Sequence, residues 1–142
     1  MAKEKPFVSP SLTYETMEET LDVKPKGERM CIGIPKEDSF YENRIALAPE
    51  AVGVIVANGH EVNVETNAGE GANYSDKDYS EAGAKILFDK KSVFECDIIV
   101  KSAPVSESDC EYLKPNQYII SPIHLAVMKK ETLEKMMEKR IT

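Results

Sequence analysis

The stretch EVNVETNAGEGANYSDKDYSEAGAKILF, residues 61–88, contains a strand, a helix and a second strand in succession. EVNVET (61–66) alternates between apolar and polar residues, which is the pattern of a half-buried strand. Ser75 is followed three residues later by Asp78, a spacing close to that of a capping box at a helix start. AKILF (84–88) then predicts the next strand. This order is typical of a parallel β–α–β unit.

The same alternation continues on both sides of this unit. Further strands are predicted at 30–35, 96–101 and 117–122, and further helices at 49–60, 89–95, 107–113 and 129–140. Together the segments predict an α/β fold with a doubly wound, mostly parallel sheet of five strands, flavodoxin-like or Rossmann-like. Because only Ile141 and Thr142 follow the last helix, where the pattern expects another strand, the sheet is expected to be incomplete at the C-terminus.

The chain divides into two parts by composition. Residues 1–29 are polar, predict no strand and form an N-terminal extension, in which Ser11 or Thr13 could cap a short helix that runs to Leu21. Residues 30–142 carry the regular strand and helix pattern and are long enough to bury a core as one domain.

The bulk properties exclude several classes of function. A net charge of −7 argues against nucleic acid or an anionic membrane as a partner. No apolar run reaches membrane-spanning length, and no secretory signal is visible. The three cysteines, Cys31, Cys96 and Cys110, form no CxxC pair, so we expect reduced, structural thiols in a cytoplasmic protein.

Arg44 is the first candidate for ligand binding. It lies in the loop 35–48 that follows the first predicted strand, and in doubly wound sheets ligands bind outside the carboxyl ends of the strands. A guanidinium matches a carboxylate through two parallel hydrogen bonds. The alternative is a solvated arginine that pairs with Glu42 or Glu37.

Two further candidates follow other strands at the same predicted edge. Lys101 ends the fourth strand and could neutralise a substrate carboxylate, or could be a lysine that extends into solvent from a strand end. His124 follows the fifth strand and could act as a general acid or base, or could simply hydrogen-bond a loop carbonyl. His60 lies at the opposite edge and is expected to be structural.

GEGANY (69–74) resembles part of a dinucleotide-binding loop. Gly69 and Gly71 occupy the first two glycine positions of GxGxxG, but Tyr74 stands at the third, which normally allows close packing of helix on strand. A turn that needs unusual backbone angles explains the glycines better. No cofactor-binding residue, metal-ligand spacing, serine–histidine–aspartate arrangement or P-loop is predicted.

Four segments together resemble one known family. GIPKEDSFYENRIALAPEAV, NGHEVNVETNAGEGANYSDKDYSEAGAKI, DIIVKSAP and SPIHLA are similar to successive blocks of the N-terminal domain of the alanine dehydrogenase and nicotinamide nucleotide transhydrogenase family. The resemblance runs from about Met30 to Thr142, with similar spacings.

The resemblance implies the substrate-side domain of an NAD-dependent oxidoreductase that converts L-alanine to pyruvate and ammonia. It implies that Arg44 and Lys101 bind the substrate, L-alanine, pyruvate or a similar 2-oxo acid, and that His124 is catalytic. NAD would be bound by a separate domain, so the 142-residue chain is expected to be inactive alone. The longer enzyme is expected to form a homo-oligomer, without nucleic acid or direct membrane insertion.

Two departures from the family pattern leave alternatives open. Ala103 stands where alanine dehydrogenases carry a second lysine, which favours a transhydrogenase alpha-type domain acting in hydride transfer, whereas transhydrogenase domains generally lack a histidine like His124. A non-catalytic interaction module is the third possibility. Pro122 also replaces an aromatic residue often found before the histidine.

Overall fold

The computed structural model describes residues 28–38 and 42–142. The short helix predicted to end at Leu21 therefore lies outside the described residues. Within the described part of the chain, no helix has the length and apolar character needed to cross a membrane.

The described residues form five strands and five helices that alternate along the chain, as the sequence predicted. The strands are β1 (Cys31–Ile34), β2 (Glu61–Glu65), β3 (Lys85–Leu87), β4 (Ile98–Val100) and β5 (Tyr118–Ile120). The helices are α1 (Pro49–Ala57), α2 (Asp76–Glu81), α3 (Lys90–Val93), α4 (Asp109–Tyr112) and α5 (Lys130–Glu138), with a short 3₁₀ turn at Glu70–Ala72 between β2 and α2.

All strand pairs are parallel, and the order across the sheet is β3-β2-β1-β4-β5. Ile32 in β1 pairs with Val62 of β2 on one side and with Ile98 of β4 on the other. The predicted fold class is confirmed, and this strand order is the Rossmann-like one. The direction of winding reverses at β1, so a crevice opens between the loops that follow β1 and β4.

Helices cover both faces of the sheet and enclose two apolar cores. One core contains Val52 from α1, Tyr79 from α2 and Val64 from β2. The other contains Ile99 from β4 and Met136 from α5. Winding in both directions from β1 therefore places α1 and α2 on one face and α4 and α5 on the other.

Local sequence signals explain several helix ends. Ser75 and Asp78 form the predicted capping box, in which the Ser75 hydroxyl accepts from Asp78 N and the Asp78 carboxylate accepts from Ser75 N. Gly83 follows α2 with a φ of +94°, a conformation that glycine adopts without strain. Helix α4 begins at Asp109, two residues later than predicted, although Ser106 Oγ still accepts a hydrogen bond from Asp109 N.

The prediction of three reduced thiols is wrong for two of them. Cys31 and Cys96 form a disulfide, and the side-chain amide of Asn63 donates to both sulfurs at 3.3 Å. The reason is topological: β1 and β4 are neighbours in space although the cysteines are 65 residues apart in sequence. Cys110 is a free, buried thiol, and its burial raises its pKa.

The outer edge of β5 carries backbone hydrogen bonds to the last residue of the chain. Thr142 N donates to Gln117 O at 3.0 Å, and Ile119 N donates to Thr142 O at 2.8 Å. This is the hydrogen-bond pattern of parallel strand pairing.

Candidate functional site

Three neighbouring clefts lie along the rim formed by the carboxyl ends of the strands. The first, of about 290 Å³, includes Arg44 in its lining, and the second, of about 380 Å³, includes Lys101. The two clefts share Glu37 and Glu42 as lining residues. The third cleft, of about 250 Å³, includes His124, and it shares Pro104 and Ser106 with the second. The three predicted site residues therefore lie on one rim, but each lines a different cleft.

Arg44 forms a two-pronged ion pair with Glu42. Its Nε donates to Glu42 Oε1 at 2.8 Å, and its Nη2 donates to Glu42 Oε2 at 2.6 Å. The backbone N–H of Arg44 also donates to Glu42 Oε1, at 3.0 Å. These hydrogen bonds lower the pKa of Glu42 to about 2 and raise the pKa of Arg44. Glu42 thus stays ionised and orients the guanidinium.

This ion pair leaves part of the guanidinium available for a ligand. Arginine has five N–H donors in a planar fork, and Glu42 takes only the edge made by Nε and Nη2. The edge made by Nη1 and Nη2 can accept a second carboxylate in the same plane. The Arg44 side chain is 79% exposed, and Lys36 contributes a second cation to the lining of its cleft. Glu37, Glu42 and Glu70 also line the cleft, so the free edge of the guanidinium, rather than the net charge of the lining, is the feature suited to a small carboxylate.

The neighbouring 3₁₀ turn and α2 hold the Arg44 loop in place. A Cβ at Gly71 would lie 2.9 Å from Asn43 O, so the turn approaches the loop more closely than any side chain allows. The hydroxyl of Tyr79, a fully buried residue of α2, donates to Leu47 O at 2.8 Å. Burial raises the pKa of Tyr79 to about 12, so this donor stays protonated.

The glycines of GEGANY serve close packing, which corrects the prediction that they provide unusual backbone angles. Gly69 has a φ of −87°, and within this loop the positive φ angles belong to Asn67 and Asn73. A Cβ at Gly69 would lie 2.7 Å from the Tyr79 ring. Protein atoms already occupy the space where a Cβ at either glycine would lie, so the two glycines let the loop pack against Tyr79 and Asn43, while Gly71 also lines the Arg44 cleft.

Lys101 points into the protein rather than into solvent. Its side chain is 2% exposed, and Nζ lies 2.6 Å from Asp109 Oδ2 and 3.3 Å from Glu37 Oε2. Asp109 is fully buried and also lies 3.0 Å from Lys90 Nζ. Burial alone would raise the pKa of Asp109, but the ammonium of Lys101, the backbone N–H of Ser106 and Lys90 together lower the pKa below its usual value.

The two histidines lie at opposite ends of the sheet, as the sequence predicted. His124 follows β5 and is exposed, and its backbone carbonyl accepts hydrogen bonds from the N–H groups of Val127 and Met128 at 3.0 Å each. His60 lies at the amino end of β2, where its Nδ1 accepts from Met30 N at 3.4 Å. Among residues 28–38 and 42–142, no side chain or backbone group hydrogen-bonds the His124 imidazole at the rim.

Comparison with known protein families shows to which family the chain belongs. Residues 33–142 match the family described as alanine dehydrogenase/PNT, N-terminal domain. This chain belongs to that family. The match covers all five strands and all five helices of the fold, apart from the first two residues of β1.

Individual members of the family are similar to the chain over most of its length. Alanine dehydrogenase from Staphylococcus epidermidis is 43% identical over 103 residues, which cover 72% of this chain. Alanine dehydrogenase 2 from Staphylococcus aureus is 42% identical over 103 residues, with the same 72% of this chain covered. The chain spans 28% of the length of these curated relatives.

Two solved structures of the family share the fold. An L-alanine dehydrogenase is 34% identical with a TM-score of 0.76, and the alignment covers 80% of this chain and 31% of that protein. A transhydrogenase from Sinorhizobium meliloti is 26% identical with a TM-score of 0.71, and the alignment covers 79% of this chain and 33% of that one.

Two charged residues of the rim carry contacts that sequence reasoning did not assign. Glu37 was considered only as a possible partner of Arg44, whereas its carboxylate lies beside Lys101. Asp109 was not singled out, although it is buried and pairs with the same lysine. The spacing of Ser106 and Asp109, three residues apart as in a capping box, is the sequence signal for this position, and the two residues do form reciprocal hydrogen bonds.

Proposed function

We propose that this domain binds the substrate of an alanine dehydrogenase-like oxidoreductase, which converts L-alanine, NAD and water to pyruvate, ammonium, NADH and a proton. The observation that carries this proposal is the Arg44 cleft at the carboxyl ends of the strands, in a chain that is 43% identical to an alanine dehydrogenase. The chain spans 28% of the length of that relative, so the complete reaction is proposed for a polypeptide of the relative's length that contains this domain.

Arg44 binds the carboxylate of the substrate in this proposal. Its Nη1 and Nη2 edge donates two hydrogen bonds, while Glu42 holds the other edge and keeps the plane of the guanidinium fixed. Lys36, which lines the same cleft, adds positive charge. Since L-alanine and pyruvate both carry a carboxylate, this contact serves substrate and product alike.

His124 moves the proton that the oxidation of the amino acid releases. Imidazole is a common general acid or base in enzymes, and the His124 side chain is exposed at the rim. Because His124 and Arg44 line different clefts, a bound substrate has to be oriented so that its reacting carbon faces the side of the rim where His124 lies. The cleft lined by Lys101 lies between the Arg44 cleft and the His124 cleft. Lys101 contributes to the site by pairing with Glu37 and Asp109, which line or support the loops around it.

NAD is held outside this chain in the proposed enzyme. The glycine loop at 69–74 is not assigned to the cofactor, because Tyr74 stands at its third glycine position and its two glycines serve packing against Tyr79 and Asn43. The 142-residue chain is therefore expected to show no dehydrogenase activity by itself, and no step at the cofactor is assigned to its residues.

The direct experiment is NAD reduction by the longer polypeptide that contains this domain. We expect L-alanine to support NADH formation, and we expect pyruvate with ammonium to support the reverse reaction. The 142-residue chain alone serves as the matched negative control. A longer polypeptide that binds NAD but leaves both L-alanine and pyruvate unchanged would rule out this proposal.

A transhydrogenase alpha-type domain is the second candidate, and one feature favours it. Lys101 is neutralised by Glu37 and Asp109, and residue 103 is an alanine, so β4 presents no free cation to a substrate. The 26% identity to the Sinorhizobium meliloti transhydrogenase is in line with this candidate. Hydride transfer between NADH and an NADP analogue, without a need for L-alanine, would distinguish it from the first.

A further inference from the structure

Glu37 lies at the crevice where the winding of the sheet reverses. It belongs to the loop after β1, and its side chain reaches across to the loop after β4. Glu37 Oε1 accepts hydrogen bonds from the backbone N–H groups of Ser102, at 2.6 Å, and Ala103, at 3.2 Å. Its second oxygen lies 3.3 Å from Lys101 Nζ. One carboxylate thus joins three consecutive residues of the opposite loop.

The Glu37 side chain is only 7% exposed, although it lies on the rim of the sheet. A buried carboxylate is costly unless hydrogen bonds or ion pairs compensate for its lost hydration. Two backbone donors compensate Oε1, whereas Oε2 accepts no hydrogen bond from the described residues and is compensated by the charge of the Lys101 ammonium at 3.3 Å. Removing the side chain would leave the N–H groups of Ser102 and Ala103 without their acceptor.

Lys101 connects Glu37 to a second buried carboxylate. Its Nζ donates to Asp109 Oδ2 at 2.6 Å, and Asp109 Oδ2 also accepts from Ser106 N at 3.0 Å. The loop between β4 and α4 is therefore held at both ends, by Glu37 at residues 102–103 and by Asp109 at residue 106. Lys101 carries the charge that links the two carboxylates.

Glu37 also lines the two clefts that contain Arg44 and Lys101. We infer that Glu37 is a positioning residue, which ties the loop after β1 to the loop after β4 and so holds in place the β1-loop wall of the carboxylate-binding cleft. It acts through Lys101 and the backbone of residues 102–103 rather than by touching the substrate. This inference rests on the proposed function of the Arg44 cleft.

Two variants separate the contacts that Glu37 makes. Glu37→Gln keeps an oxygen that can accept from Ser102 and Ala103 but loses the charge that pairs with Lys101. Glu37→Ala loses both contacts. Glu81→Gln is the matched control, because Glu81 forms an exposed ion pair with Lys77 on α2. Arg44→Ala tests the proposed function itself.

The first measurement is an NMR titration that monitors the binding of pyruvate to the 142-residue chain. We expect Glu37→Ala to raise the apparent Kd for pyruvate by about tenfold, and Glu37→Gln to recover part of the affinity. The Kd of Glu81→Gln should stay within about twofold of that of the unmodified chain. If Arg44→Ala loses binding while Glu37→Ala keeps it unchanged, the inference is wrong and the proposed function stands.

The second measurement is hydrogen exchange of the backbone amides of Ser102 and Ala103, which needs no ligand. We expect exchange at these two amides to be at least about tenfold faster in Glu37→Ala than in the unmodified chain, with Glu37→Gln in between. If no form of the chain binds pyruvate, the proposed function fails at this cleft and the exchange rates decide the role of Glu37. Unchanged exchange in Glu37→Ala would overturn the inference.

Discussion

Arg44 illustrates how one residue can satisfy both interpretations of its sequence position. The solvated ion pair with Glu42 is present, and the same pair leaves a forked edge of the guanidinium open to a ligand. The ion pair with Glu42 therefore does not exclude a role for Arg44 in binding a carboxylate. It holds a side chain that is otherwise 79% exposed in one orientation.

The titration of Glu42 tests this arrangement at the scale of the residue. We expect the Glu42 carboxyl to titrate with a pKa of about 2 in the unmodified chain and to return towards its ordinary value of 4.5 in Arg44→Gln. Because the folded pKa is depressed, the contribution of the pair to stability is present above the ordinary value and is lost as the pH falls towards the folded one. A pH titration of the side-chain carboxyl carbon by NMR measures it, and an ordinary pKa in the unmodified chain would contradict the pairing.

Lys101 is the residue whose loss should affect stability most. Lys101→Met removes a 2% exposed ammonium and leaves Asp109 without its closest cation, which should cost about 3–5 kcal/mol of unfolding free energy. Lys77→Met, at an exposed pair on α2, should change stability by no more than about 0.5 kcal/mol.

Urea unfolding of both variants measures the difference between the buried and the exposed lysine. Combining Lys101→Met with Asp109→Asn should recover part of the loss, because residue 109 is then uncharged and only Glu37 still lacks the ammonium. Equal unfolding midpoints for Lys101→Met and the unmodified chain would show that the buried pair does not form.

At the scale of the elements, the helical segments after β2 determine where the Arg44 loop lies. The 3₁₀ turn touches Asn43 at Gly71, and α2 reaches Leu47 through the hydroxyl of Tyr79. The Arg44 cleft is therefore formed jointly by the segments that follow β1 and β2.

Two glycine substitutions test these contacts with opposite expected signs. A Cβ at Gly71 would lie 2.9 Å from Asn43 O and 3.0 Å from Asn43 Cα, both backbone atoms, so Gly71→Ala should destabilise the fold by about 1–3 kcal/mol. Gly53 lies inside α1 and the nearest atom to its Cβ is Ala82 O at 3.8 Å, so Gly53→Ala should stabilise by about 0.5–1 kcal/mol. Thermal unfolding measures the stability of both variants against the unmodified chain. If Gly71→Ala is as stable as the unmodified chain, the 3₁₀ turn and the Arg44 loop can move apart without loss of stability.

At the scale of the whole molecule, the periodicity of the sequence was enough to predict the alternating fold and the shared rim. Once every strand is parallel, Arg44, Lys101 and His124 must follow carboxyl ends on the same edge. The order of the strands was not specified by local pattern, because it depends on contacts between distant segments.

The same limit explains what the sequence did not predict. Glu37 meets Ser102 and Ala103 across 65 and 66 residues, and Cys31 meets Cys96 across 65. Each contact exists because β1 and β4 are neighbours in the sheet. The glycines of the 69–74 loop were misinterpreted for a related reason, since close contact with a distant residue leaves no periodic signal.

The most direct test of the account is the kinetics of Arg44 variants in the longer polypeptide, with L-alanine and NAD as substrates. We expect Arg44→Ala to lower kcat/KM for L-alanine by at least about 100-fold, because two charged hydrogen bonds to the carboxylate are lost, and we expect Arg44→Lys to recover only part of it. The KM for NAD should stay unchanged. Full activity in Arg44→Ala would contradict the assignment of this cleft to the substrate carboxylate.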